Sequence, residues 1–153
     1  QCTSLDAMVI SIGGGSQAVG ALTVANALAP HIKIYGVQAE KASAVHDSWH
    51  AKEKRSTETA ETFADGLATL SSYDLTLSPL IEGLEDFITV TEIQMAQAIQ
   101  SLLETTGNIA EGAGAAGLAG LQQLAPRLAG QNVAVMLCGA NIDSEVLAWA
   151  LAQ

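Results

Sequence analysis

The chain has 153 residues, a size that one domain fills, and 49% of them are hydrophobic against only 4% aromatic, so its core must be aliphatic and alanine-rich. Its 16 acidic and 6 basic side chains leave a formal charge of −10, which argues against nucleic acid as a partner, because that requires clustered Lys and Arg against phosphates. The apolar stretches are strand-length and too short to span a membrane, no basic start precedes an apolar leader, and two cysteines far apart, Cys2 and Cys138, fit a reduced, cytoplasmic chain better than a disulfide scaffold.

In chain order, residues 7–12 form the first apolar run, rich in Val and Ile, and predict a strand. Gly13-Gly14-Gly15-Ser16 follows, and then a predicted helix over 17–29 that ends at Pro30, which cannot continue it. Residues 32–37 predict a second strand and 43–52 a second helix. Residues 53–86 are the least regular stretch, with a polar run, Phe63-Ala64-Asp65-Gly66-Leu67 and a Ser/Thr/Pro-containing connection. Residues 87–90 predict a third strand. A helix over 91–105 opens with Thr-Glu-Ile-Gln, an N-cap signature, and stops before Gly107. A helix over 113–125, a strand over 133–137 and a helix over 143–152 complete the chain.

The strands are mostly apolar rather than alternating, as strands buried on both faces are. Alternating with helices, they predict an α/β fold: a three-layer αβα domain with a mainly parallel sheet. Right-handed crossovers then place the loops after the strands on one edge, where ligands of such folds bind.

The loop after the first strand is the first candidate site. Gly13, Gly14 and Gly15 lack Cβ atoms, so backbone there can turn tightly and approach a ligand. The following helix offers unpaired N–H groups and the positive end of its dipole, which suits a phosphate. A P-loop would require Gly-Lys-Ser/Thr, and the residues here are Ser16-Gln17-Ala18. A dinucleotide fingerprint is compatible if alanine takes its last position and Glu40 serves as the ribose acid. On the loop alone, that alternative stays open.

Two later stretches narrow the choice: Glu111-Gly112-Ala113-Gly114-Ala115-Ala116-Gly117-Leu118-Ala119 and Cys138-Gly139-Ala140-Asn141-Ile142-Asp143. With Gly13–Ser16, Tyr35-Gly36-Val37-Gln38-Ala39-Glu40 and Phe63-Ala64-Asp65-Gly66-Leu67-Ala68, they make five ordered matches over essentially the whole chain. The sequence thereby resembles the fold type II pyridoxal-phosphate enzymes, and within them the threonine dehydratase and serine racemase group.

That resemblance implies a role for each residue. Gly13, Gly14, Gly15 and Ser16 would be the cup for the phosphate of pyridoxal 5'-phosphate, Ser16 replacing a usual fourth glycine and requiring a negative φ. Gly66 would line the cofactor by its backbone, and Glu111 would be the acid near its ring. Cys138 would face the pyridine nitrogen. Asn141 and Asp143 read as a turn and an N-cap. Glu40 aligns with a carboxylate that binds a divalent cation in relatives, together with the carbonyl of Ala44. The third ligand position holds His46, a poor match for an oxygen-seeking cation. His46 and His50, four apart, read as two solvated histidines on one helix face. Trp49, Trp149, Met8, Met95 and Met136 read as packing residues.

The family's Schiff-base lysine lies upstream of the cup, whereas Lys33, Lys41, Lys52 and Lys54 all follow it. The resemblance therefore implies the carboxy-terminal, phosphate-cup half of a lyase that deaminates threonine or serine, inactive alone. The alternatives are a stand-alone phosphate-binding module without catalysis and a parent of serine racemase type. The expected partners are a small amino-acid substrate and further copies of the chain, meeting through exposed apolar edges, with neither nucleic acid nor membrane.

Overall fold

Strands β1 (Ala7–Ser11), β2 (Lys33–Ala39), β3 (Asp86–Val90) and β4 (Val133–Val135) form one parallel sheet in the order β3-β2-β1-β4. The computed structural model describes residues 4–153, so Cys2 lies outside the described residues. Ala7 sits opposite Lys33 on β2 and Val133 on β4, and Tyr35 sits opposite Asp86. The period-2 alternation of strand side chains divides the core in two. Val9, Tyr35, Val37 and Val90 face a layer made by α4 (Glu92–Thr106), α5 (Gly112–Leu124) and α6 (Ser144–Ala150). Ile10, Ile12, Ile34 and Phe87 face the opposite layer, made by α1 (Ser16–Leu28), α2 (Ala44–Ala51) and α3 (Asp74–Gly83). The three-layer αβα domain with a parallel sheet is thus as expected.

Small residues let the alanine-rich α5 lie directly on the sheet. Ala115 and Ala116 are fully buried, and a Cβ added to Gly120 would collide with Val37. α4 starts at a capping box in which Gln94 N–H donates to Thr91 Oγ1 at 3.2 Å and Thr91 N–H donates to Gln94 Oε1 at 2.8 Å. It ends at Gly107, whose φ of 70° is left-handed.

Three differences from the sequence reading have physical causes. β2 runs on to Ala39 because Gln38, fully buried, has partners: its Nε2 donates to Thr69 Oγ1 (3.1 Å) and its Oε1 accepts from His46 N–H (2.9 Å). That second bond caps α2, for which Ser43 supplies no side-chain cap. β4 is shorter than predicted because it is an edge strand with only half-buried side chains. α3 lies in the stretch read as irregular. It carries Pro79 in its interior, a residue that speaks against a helix, but Leu77 and Leu80 bury against the core and hold it.

The strand order makes the functional geometry. From β1 the chain steps outward to β2 and β3, then returns through α4 and α5 to place β4 on the other side of β1. The connections from β1 and β4 diverge there, and a crevice opens beyond their carboxyl ends.

Candidate functional site

The crevice at the β1/β4 switch point is a cavity of about 320 Å³ lined by Ser11, Gly13, Gly14, Gly15, Ser16, Gln17, Gly66, Leu67, Glu111, Ala113 and Cys138. All seven cofactor-site candidates from the sequence meet there: the glycine loop, Ser16, Gly66, Glu111 and Cys138.

Each wall has a local reason. Gly15 is the residue before α1 and has φ 91°, a conformation that L side chains resist. Ser16 is the first helical residue, and its φ is not positive, the condition its presence in the loop required. No side chain caps α1, so its first-turn N–H groups remain available at the cavity mouth. A Cβ on Gly13 would collide with the carbonyl of Gly66 in the 3-10 turn Asp65–Leu67, so the two loops touch backbone to backbone. The hydroxyl of Thr76, on α3, donates to Gly14 O at 2.8 Å and fixes the loop from behind.

Glu111 stands at the N-cap of α5 without capping it. Its carboxylate instead accepts from Asn141 N–H at 3.1 Å, and its own N–H donates to Gly139 O at 3.1 Å. A Cβ on Gly139 would collide with this carboxylate. Glu111 therefore holds the 139–141 loop, and through it the position of Cys138. Asn141 has the structural role expected of it. Asp143 occupies the N-cap position of α6, but its side chain makes no capping bond.

Cys138 Sγ lies 3.4 Å from Ser11 Oγ and 3.8 Å from the carbonyl of Ala113. The sequence reading missed Ser11, Gln17 and Thr76. Ser11 sat inside an apolar run and Thr76 inside the stretch read as irregular, and neither position carries a local signature.

The expected cation site does not assemble. Glu40 is exposed in a 3-10 turn, Ala44 is buried, and no group of three or more His, Cys, Asp and Glu gathers among the described residues. His46 and His50 do share a face, with ring centroids 4.4 Å apart, but they are not simply solvated. His46 Nδ1 is 2.8 Å from Asp47 Oδ1, and His50 Nε2 donates to Phe87 O at 3.0 Å. Trp49 and Met95 pack as expected, Trp49 donating from Nε1 to Leu80 O, whereas Trp149 remains 38% exposed.

A larger cavity, about 610 Å³, opens between the ends of β2 and β3 and helix α6, with Phe63, Ile93, Val146 and Trp149 in its walls. Of the two helix N-termini beside it, that of α4 is already satisfied by its own capping box, and α6 is a short helix of seven residues. The smaller crevice has the better chemistry for a phosphate ester: free N–H groups at an uncapped helix, backbone laid bare by glycine and a hydroxyl at Ser16. Its lining holds no Lys or Arg, so those groups alone would carry the anion. A small ligand with a phosphate at the loop and a flat body reaching Cys138 fits this donor set, and pyridoxal 5'-phosphate is such a ligand.

Comparison with known proteins agrees with this geometry. The chain is 32% identical over 144 residues to the L-threonine ammonia-lyase of Thermotoga maritima, covering 94% of this chain and 35% of that enzyme. It is 28% identical over 141 residues to an L-threo-3-hydroxyaspartate ammonia-lyase of a Pseudomonas species, covering 92% and 44% respectively. Among solved structures, the processed form of threonine deaminase isoform 2 from Solanum lycopersicum superposes with a TM-score of 0.94 at 27% identity, over 99% of this chain and 45% of that one. The chain thus spans less than half the length of each of these proteins. Residues 1–139 match the model of the pyridoxal-phosphate dependent enzymes, and with the glycine loop, Glu111 and Cys138 gathered at one switch point, the chain belongs to that family.

Proposed function

We propose that residues 1–153 form the phosphate-cup half of a pyridoxal-phosphate-dependent ammonia-lyase that converts threonine or serine to a 2-oxo acid and ammonia. The observation that carries this reading is the crevice in which the glycine loop, the uncapped start of α1 and the Cys138 thiol face one another. The ammonia-lyases among the similar proteins favour deamination over a redox or transfer reaction.

When bound, pyridoxal phosphate supplies an electron sink for charge that develops at the α-carbon of an amino acid. The chain's own residues would do the holding. N–H groups of Gly13–Ser16 and the Ser16 hydroxyl would bind the phosphate, with the α1 dipole behind them. Gly66 would present bare backbone to the cofactor. Cys138 would offer the ring end a neutral thiol rather than a carboxylate, a partner that would favour elimination over deeper carbanion chemistry. Glu111 keeps the Cys138 loop in place. None of Lys33, Lys41, Lys52 and Lys54 lines the crevice, so these residues supply no lysine for the base at the α-carbon. A divalent cation has no part in this reading. A cytoplasmic setting would keep the exposed Cys138 thiol reduced.

The test compares the isolated 153-residue chain with the longest polypeptide that contains it. The long form should release 2-oxobutanoate from L-threonine or pyruvate from L-serine. The isolated chain should release neither, yet bind pyridoxal phosphate in competition with inorganic phosphate. Phosphate binding by a long form inert toward both amino acids would instead favour a non-catalytic binding module. Release of D-serine from L-serine would favour a racemase.

A further inference from the structure

Ser11 is the last residue of β1, only 7% exposed, and it lines the crevice. Its hydroxyl lies 3.4 Å from Cys138 Sγ. Either atom could donate in that contact taken alone, and the next contact favours one direction. Sγ also lies 3.8 Å from Ala113 O, and a carbonyl can only accept. With the single thiol proton given to Ala113, the Ser11 hydroxyl is the donor into the sulfur. The result is a directed chain, Ser11 O–H to Cys138 S–H to Ala113 C=O, joining β1, the loop after β4 and the first turn of α5.

We infer that Ser11 is a positioning residue whose hydroxyl orients and polarises the Cys138 thiol as the donor at the ring end of the crevice. A hydroxyl donating into sulfur draws electron density from the S–H bond and strengthens its donation to the next acceptor, as bonds in a chain reinforce one another. A ligand ring nitrogen placed against Sγ would take the place of Ala113 O as that acceptor. This assignment of the acceptor rests on the pyridoxal-phosphate reading. The Ser11–Cys138 bond itself does not.

The experiment is Raman spectroscopy of the longest folded polypeptide containing this chain, without cofactor, with the S–H stretch of Cys138 assigned by its loss in Cys138→Ser. Ser11→Ala should move that stretch to higher frequency, toward a weaker donor, and Ser11→Thr, which keeps the hydroxyl, should restore it. Coincident bands in wild type and Ser11→Ala would overturn the inference, as would a shift that Ser11→Thr fails to reverse. In the loaded protein, Ser11→Ala should weaken pyridoxal-phosphate affinity about three- to tenfold while Ser11→Thr stays within about twofold, the scale of one modest hydrogen bond. Equal affinity in Ser11→Ala and wild type would overturn the role toward the ring. Failure of the wild type to bind pyridoxal phosphate at all would refute the cofactor reading instead, and the Raman comparison would still decide the Ser11–Cys138 bond.

Discussion

The glycine loop is held by conformation on one side and by a hydrogen bond on the other, and the two can be separated by substitution. Gly15 has φ 91° and packs against Thr76 and Leu80, each 3.0 Å from where its Cβ would stand. Gly15→Ala should therefore cost at least ~1–2 kcal/mol, the penalty of a left-handed L-residue, measured by urea unfolding. Thr76→Val removes the donor to Gly14 O while keeping its shape. It should cost about 1 kcal/mol and weaken inorganic-phosphate binding, because the loop is no longer fixed from behind. An unchanged phosphate affinity in Thr76→Val would show that the loop keeps its form unaided. These two residues also mark how far the site was legible. The glycine triplet, Glu111 and Cys138 stand out because short, ordered signatures surround them. Thr76 and Ser11 act through contacts 62 and 127 residues away in sequence, and no local pattern announces such partners. The cation expectation failed for a different reason, one legible in the sequence itself: His46 stands where a hard cation requires an oxygen ligand.

Among the elements, the sheet and five of the six helices could be read from runs of Val and Ile and from their stop signals, since Pro30, Gly107 and Pro126 each end a periodic segment. α3 could not, because Pro79 and the flanking Ser and Thr imitate a loop while tertiary burial of Leu77 and Leu80 decides otherwise. The start of α2 was legible to within a residue, but its cap was not. Its cap comes from Gln38 on β2, a buried amide that the apolar strand pattern gives no reason to expect. Gln38→Leu should keep the volume but leave the His46 N–H and the Thr69 hydroxyl without this partner. The expected loss is ~1–3 kcal/mol from unsatisfied groups in a largely buried setting. Hydrogen exchange should localise it, with the first turn of α2 and the segment near Thr69 losing protection ahead of β1. Uniform loss over the whole sheet would mean that Gln38 supports the core rather than the α2 cap.

At the scale of the molecule, one edge of the sheet is unfinished in a way that bears on solution behaviour. β4 has one strand neighbour, β1, and its side chains are only half-buried. Beside it, Met8, Ile10, Val24, Leu28 and Met136 line an almost wholly apolar groove, with Val24 and Leu28 more than half exposed. An open strand edge next to an apolar groove favours pairing with another chain. The net charge of −10 opposes it, since copies repel at long range when salt is low. The balance predicts a salt-dependent self-association of the isolated 153-residue chain: near-monomeric at low ionic strength, and increasingly dimeric or larger as salt screens the repulsion while the apolar contact is undiminished. Sedimentation velocity across a salt series reads this directly. Val24→Lys with Leu28→Lys, both on the exposed side of α1 and away from the crevice, should abolish the association without changing phosphate binding. A monodisperse monomer at high salt would mean that the β4 edge and its groove protect themselves, whereas association that falls with salt would mean that charge, not this surface, brings the copies together.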